Sequence, residues 1–146
     1  MKKSYLFTLI FSLIFSFSFS QTTYYVATSA NGGHDTNNNG TSEAAPFLTL
    51  AKAVTTATNG DTIIVGPGTF SSECNIAADD NLTIQGHGRE ETIFDGSSGN
   101  SSCGFMSITA NITLKNMTIR DYNLTTGSGV NSTQGQTSGI IIGGPL

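Results

Sequence analysis

The sequence predicts an all-β fold, a parallel solenoid of short strands covered at one end by a single amphipathic helix. Three observations carry this expectation. Charged residues make up only 11% of the chain while glycine contributes 17 of 146 residues, the balance of a chain with many tight turns. Clusters of Ile, Leu, Val and Phe recur between those turns, which a disordered chain would lack. Three of the clusters, residues 62–66 (Thr-Ile-Ile-Val-Gly), 82–86 (Leu-Thr-Ile-Gln-Gly) and 112–116 (Ile-Thr-Leu-Lys-Asn), superimpose at spacings of 20 and 30 residues. Stacked coils with loops of variable length give such spacings.

The elements follow in order. Met1-Lys2-Lys3 is a positive start, and the 15 residues from Tyr5 to Phe19 carry no charge. That run is shorter than the roughly 20 residues a spanning helix needs. Ser18 and Ser20 supply the small residues of a cleavage site between Ser20 and Gln21, so residues 1–20 read as a signal peptide. No cysteine adjoins the cut, which argues against a lipid anchor. Cleavage takes two of the six basic residues and none of the ten acidic ones, moving the formal charge from −4 to −6. A surface of that sign repels nucleic acid. No later segment is apolar enough to span a membrane, so the mature chain is expected to be secreted, extracellular or on the outer cell surface.

Residues 21–60 are expected to hold a Thr-Tyr-Tyr-Val-Ala strand, a polar Asn/Gly loop and the helix. Pro46 suits a first helical turn. Phe47, Leu50, Val54 and Ala57 share one face over residues 47–58, and Asn59-Gly60 supplies a left-handed stop. A short helix of this kind would cover the open end of a strand stack. Residues 61–146 are expected to be the coils. Ile64, Ile84 and Leu114 would form one inward column, and Gly66, Gly86 and Asn116 would close each strand in a shared positive-φ turn. Residues 92–96, 105–108, 117–120 and 140–142 read as further strands. They alternate with turns too quickly for crossover helices, so parallel pairing must come from coiling. The alternative is an antiparallel sandwich built from hairpins.

Here the order of motifs becomes specific. Tyr25-Val26, the Asn/Gly loop at 31–42, Pro46-Phe47, the Gly-Asp-Thr-Ile-Ile-Val-Gly-Pro-Gly-Thr-Phe run at 60–70, Asn-Leu-Thr-Ile-Gln-Gly at 81–86, Ile-Phe-Asp-Gly at 93–96 and Ile-Thr-Leu-Lys-Asn-Met-Thr-Ile at 112–119 follow one another. Together they resemble the opening of pectate-lyase-like right-handed parallel β-helix proteins. The resemblance covers residues 23–122 and implies a right-handed parallel β-helix with an N-terminal capping helix. The Gly-Gly-Pro-Leu end supplies no second cap, so the chain is expected to be the N-terminal part of a longer protein, incomplete after about three to four coils. The superfamily contains lyases, hydrolases, esterases and non-catalytic surface proteins, so the resemblance bears on fold more than on activity.

Candidate chemistry is sparse. Asp35, Asn37 and Asn39 place oxygen side chains at alternate positions before Gly40, like the first half of a calcium loop, with Glu43 the nearby carboxylate; Pro46 occupies the position of the closing glutamate, and a solvated turn explains the same residues. Lyase chemistry on a uronic-acid polymer needs a base and a cation to neutralise the carboxylate. Lys115, Arg120 and Asp121 are the candidates for it, although Lys115 and Arg120 read first as ordinary exposed charge. Arg89, Glu90, Glu91 and Asp95 complete the available groups. Alternation puts Gln85 and Lys115 outward beside Thr83 and Thr113. Cys74 and Cys103 are either paired in an oxidising compartment or two buried thiols. His34 and His87 lack zinc-ligand spacing to them. Asn81, Asn111, Asn116 and Asn123 near strand ends are expected to bond to one another and to the backbone.

Two functions are expected, beside a purely structural role with no ligand. One is a surface or secreted β-helix protein that binds carbohydrate or acts as an adhesin toward a polysaccharide or cell-surface partner. The other is the N-terminal part of a polysaccharide lyase or related enzyme acting on acidic polysaccharides.

Overall fold

The computed structural model describes residues 20–74, 76–98, 104–122 and 140–142. Nearly all of the expected leader, Cys103, Asn123 and the last four residues lie outside them. The chain is mostly strand. In order it forms β1 (Thr23–Val26), a 3-10 turn (Ser29–Asn31), α1 (Leu50–Thr56), β2 (Thr62–Val65), β3 (Gly68–Phe70), β4 (Ile76–Ala78) and β5 (Leu82–Gly86). Then follow β6 (Thr92–Asp95), a 3-10 turn (Gly96–Ser98), β7 (Met106–Ile108), β8 (Ile112–Lys115), β9 (Thr118–Arg120) and β10 (Ile140–Ile142). No helix among the described residues is long and apolar enough to cross a membrane.

The strands make three sheets, ordered β1-β2-β5-β8, β3-β6-β9 and β4-β7-β10. Every pairing among the described strands is parallel, and β2 through β7 each pair with the strand three places on. Among the described residues, the antiparallel hairpins of a sandwich do not form. Phe70, at the end of the Pro-Gly-Thr-Phe run, and the Ile-Ala-Ala segment after Cys74 supply β3 and β4, neither of which the sequence pattern singled out.

Burial alternates along the first sheet, as period two requires. Ile63 and Val65 in β2 and Leu82, Ile84 and Gly86 in β5 are buried, with Thr62, Ile64, Thr83 and Gln85 half-buried between them. The inward column is therefore Ile63, Ile84 and Leu114, because Ile63 pairs with Ile84 and Ile84 with Leu114. The expected column through Ile64 is wrong by one residue. Ile64 pairs with Gln85 and faces outward. A slip of one residue exchanges the two faces of a strand, so the error reversed β2 entirely. The glycine expectation fails with it. Asn116 does have positive φ (54°), but Gly66 and Gly86 do not. Gly86 is glycine because a Cβ there would collide with the Asn116 carbonyl.

Register is fixed instead where the strands begin. Asn81 donates its backbone N–H and its side-chain Nδ2 to Asn59 Oδ1, both at 2.8 Å, and Asn111 N–H donates to Asn81 Oδ1 at 2.9 Å. The Gly60 N–H donates to the Asn81 carbonyl (2.8 Å), and Thr83 N–H to the Asp61 carbonyl (3.1 Å). Asp61 is buried, and its carboxylate accepts from Thr22 N (2.7 Å), Thr58 N (2.8 Å) and Thr58 Oγ1 (3.1 Å). Burial pushes the Asp61 carboxyl up, and those hydrogen bonds outweigh it, leaving its pKa below the ordinary value.

The helix is shorter than its apolar spacing suggested. Phe47 is not its first turn; it bridges Val26 in parallel, with Phe47 N–H donating to Tyr25 O (2.8 Å) and Ala27 N–H to Phe47 O (2.9 Å). Thr49 caps α1 by accepting from Lys52 N at 3.1 Å, and Ala57 closes it in an extended conformation. Leu50, Ala53, Val54 and Ala57 are buried. The buried Glu73 fastens the helix start by accepting from Leu50 N (2.5 Å) and Ala51 N (3.2 Å). Burial raises the Glu73 pKa despite these bonds, and the nearby Asp35 charge adds to the rise. Deeper in the core, Phe70, Phe94, Phe105 and Tyr122 stack in sequence at ring-centroid distances of 5.1, 4.9 and 5.3 Å. Among the described residues the buried Tyr122 hydroxyl finds no hydrogen-bond partner, and burial raises its pKa.

The corrected register gives a direct test. Ile63→Ala removes side-chain volume from a fully buried position and should cost about 2–5 kcal/mol, whereas Ile64→Ala should cost less than about 1 kcal/mol. Urea unfolding midpoints of the two variants measure the difference, and equal losses would contradict the assignment.

Candidate ligand-binding face

The outward side of the first sheet carries two in-register rows. Thr23, Thr62, Thr83 and Thr113 pair successively across β1, β2, β5 and β8, and Tyr25, Ile64, Gln85 and Lys115 form the neighbouring row. Successive members of a row lie one strand spacing apart, roughly 4.8 Å. The face is thus a flat ladder of hydroxyls beside a row that runs from aromatic to cationic.

At the Tyr25 end of the second row lies an open cavity of about 260 Å³. Tyr25 and Ile64 belong to its lining, together with Pro46 and Pro67. The polar groups there are Asn31, Glu43 and His87. Each arrives from a different segment. Asn31 ends the turn after β1 and donates Nδ2 to the Pro67 carbonyl at 3.2 Å, which ties the turn to the start of β3. Glu43 sits in a loop folded back on β1, where Tyr25 N–H donates to the Gly40 carbonyl at 2.7 Å. Gly40 adopts φ +72° with the Phe47 ring packed against its Cα, a place with no room for a side chain.

His87 follows β5. Its Nδ1 lies 3.0 Å from the Val65 carbonyl, and its backbone N–H donates to Thr92 Oγ1 at 2.9 Å. A carbonyl only accepts, so Nδ1 carries the proton in this contact, and Nε2 accepts whenever the ring holds no second proton. Thr92 is fully buried and donates onward to the Gly66 carbonyl at 3.1 Å. The histidine is therefore braced from behind by the ends of β2 and β6.

The residues singled out from sequence fall elsewhere, with one exception. Asp35 is engaged by the loop: Oδ1 accepts from Leu48 N (2.7 Å) and Thr49 N (3.1 Å), and Oδ2 from Thr49 Oγ1 (2.8 Å). Asn37 accepts from Thr36 Oγ1 and contacts the His34 ring, while Asn39 Oδ1 accepts from Thr41 N and Oγ1. Glu43, the fourth member of that proposed calcium set, lines the cavity instead. No group of three or more His, Cys, Asp or Glu side chains among the described residues converges as a metal site. Lys115 is exposed on β8, at the far end of the Tyr25 row. Arg120 is half exposed and bonds through Nε (2.9 Å) and Nη2 (2.6 Å) to Asp95 Oδ2, with Asp121 3.7 Å away. Lys115 and Arg120 thus lie on different sheets. Cys74 is disulfide-bonded.

Tyr25, Asn31, Ile64 and His87 were missed as site residues. The usable clue was the row itself: with β2 in its true phase, Tyr25 and Ile64 are neighbours on an exposed face, where two large apolar side chains invite a ligand.

A family model described as protein of unknown function (DUF1565) matches residues 31–144, from Asn31 through β10. The chain belongs to this family. The match takes in Glu43, Ile64 and His87 and begins after Tyr25. Searches of curated proteins and of solved structures found no match to the chain.

The hydrogen bonds that Ser97 and Arg120 donate to Asp95 set a pH dependence. Hydrogen bonds from the Ser97 hydroxyl and N–H, then from Arg120, hold the Asp95 carboxyl down to about 2. A depressed carboxyl stabilises the fold above the ordinary carboxylate range and loses that contribution as pH falls through the lowered value. Melting temperature should therefore fall as pH drops from about 4 to about 2, and Asp95→Asn should flatten this part of the acid limb.

Proposed function

We propose that the three parallel sheets are the faces of a right-handed parallel β-helix, and that the protein is exported and binds carbohydrate on the outward face of the first sheet. The observation that carries the binding reading is the cavity lined by Tyr25 and Ile64 and bordered by Asn31, Glu43 and His87, on strands whose next outward row is threonine. An aromatic ring beside a few fixed polar groups matches a sugar, whose C–H face is apolar and whose edge is hydroxyl. The flat row beyond it suits a chain longer than one sugar. The resemblance to pectate-lyase-like openings supports the β-helix, and the strand order, in which every third strand pairs, is what coiling produces. Binding is favoured over lyase chemistry because Arg120 is committed to Asp95 and Lys115 has neither arginine nor carboxylate opposite it in its row.

Glycan-array screening followed by calorimetry of the full chain tests this reading. At least one oligosaccharide should bind, and Tyr25→Ala should weaken it by about tenfold or more through loss of ring contact. Absence of binding across neutral, amino and acidic oligosaccharides would count against it.

Export carries its own expectation. The secreted product should begin at Gln21, and Cys74 should be bridged to Cys103, the other cysteine of the sequence. Intact-mass measurement after alkylation under denaturing, non-reducing conditions should show that N-terminus and no alkylated thiol. Replacing both cysteines by serine should cost about 3–4 kcal/mol by the loop-closure argument.

A further inference from the structure

We infer that the cavity beside Tyr25 selects a protonated amine on the saccharide, making the preferred ligand an amino sugar and not a uronic acid. The inference rests on the carbohydrate-binding reading and adds the class of sugar.

Asn31 spends one N–H of its Nδ2 on the Pro67 carbonyl, which leaves Oδ1 and the second N–H of its amide. His87 spends Nδ1–H on the Val65 carbonyl, so the neutral ring offers Nε2 as an acceptor. Glu43 is exposed and brings a carboxylate, which when ionised only accepts. Three acceptors from three segments thus border one cavity, and among the described residues its lining contains neither lysine nor arginine. An ammonium group carries three N–H donors and no acceptor, the complement of that set. A carboxylate ligand brings only acceptors and a second negative charge. Nothing in the lining would neutralise it in the way a guanidinium does. A neutral sugar hydroxyl satisfies the same acceptors without the charge, so it should bind with intermediate affinity. The chain's net charge of −4 favours approach of a cationic ligand over an anionic one in the same direction.

The two axial supports make the preference a property of the fold and not of loose side chains. Both Asn31 and His87 bond to carbonyls at the β2–β3 junction, on either side of Gly66. Those bonds hold both side chains before any ligand arrives, which reduces the ordering cost of binding.

The experiment uses the full chain and four sets of oligomers: glucosamine, N-acetylglucosamine, glucose and galacturonate. Affinities are measured by calorimetry at a pH where the glucosamine amine is protonated. An ionic strength of about 0.15 M limits long-range attraction to the acidic chain. Glucosamine oligomers should bind about three- to tenfold more tightly than glucose oligomers, the range expected for a partly exposed ion pair with charge-assisted hydrogen bonds. N-acetylglucosamine should fall near glucose, and galacturonate should be weakest. Glu43→Gln should bring glucosamine to within about twofold of glucose while moving glucose itself by less than about twofold. Asp80→Asn, a charge change at the opposite end of β5, should leave all four affinities in the wild-type order.

Galacturonate binding as tightly as glucosamine would overturn the inference, as would an amine preference that survives Glu43→Gln or is lost equally in Asp80→Asn. Binding of glucose oligomers with no preference for the amine overturns this inference and leaves carbohydrate binding standing. Failure of every oligomer to bind removes the carbohydrate reading and this one with it.

Discussion

The Asp61 carboxylate sits where four parts of the chain meet. It receives the backbone of Thr22 just before β1 and the backbone and hydroxyl of Thr58 just after α1, while its own peptide carbonyl receives Thr83 of β5. A buried carboxylate is costly unless its oxygens are satisfied, so this arrangement is close to all-or-none. Once it forms, the start of β2 cannot slide along β1 or β5. The asparagine ladder from Asn59 through Asn81 to Asn111 repeats the same restraint one side chain at a time, carrying the phase of β2 to β5 and β8. Parallel sheets need such restraints because no hairpin turn sets their register for them.

The same device recurs at the helix. A seven-residue helix has little stability of its own. Its amides are held from two sides, by Thr49 within the chain segment and by Glu73 from the turn before β4. Glu73 follows the ring stack that starts at Phe70, so the helix is joined to the aromatic core through three intervening bonds of sequence. The raised Glu73 pKa means that its ionised form is the strained one in the folded state: its contribution is greatest when the carboxyl is protonated, at acid pH, and is lost as pH rises through the elevated pKa. Asp61 and Asp95 have the opposite sign, with depressed pKa values that favour neutral pH. The acid-side response of the molecule is therefore a sum of opposed terms.

Much of this architecture was legible in the sequence because it follows from residue type. β-branched runs between Gly, Asn and Ser gave most of the strands, and the absence of crossover helices gave parallel pairing. The helix was legible from Leu50, Val54 and Ala57, but its beginning was not, since Phe47 is equally suited to a helical face and to the bridge with Val26 that it makes. The phase of β2 was misread for a similar reason. Ile63 and Ile64 are adjacent and identical, so composition cannot say which points inward. The choice is made by Asp61 and the asparagines, whose hydrogen bonds link residues 22 to 39 positions apart. Short strands such as β4, with two alanines, carry too little apolar character to be seen before their partners are known.

The cavity is a consequence of that same choice. Had Ile64 faced the core, Ile63 and Val65 would have faced outward, and one of them would have been the outward neighbour of Tyr25. With Ile63 inward, Ile64 extends the Tyr25 surface, and the turns on either side of β2 bring Asn31, Pro67 and His87 to its border. Two of these turns are themselves held by the end of β2: Asn31 by Pro67 and His87 by Val65. The β2–β3 junction thus decides which of their donors are consumed. Site chemistry in this protein follows from strand phase, and a change that shifted the phase of β2 would alter the face even with every cavity residue retained.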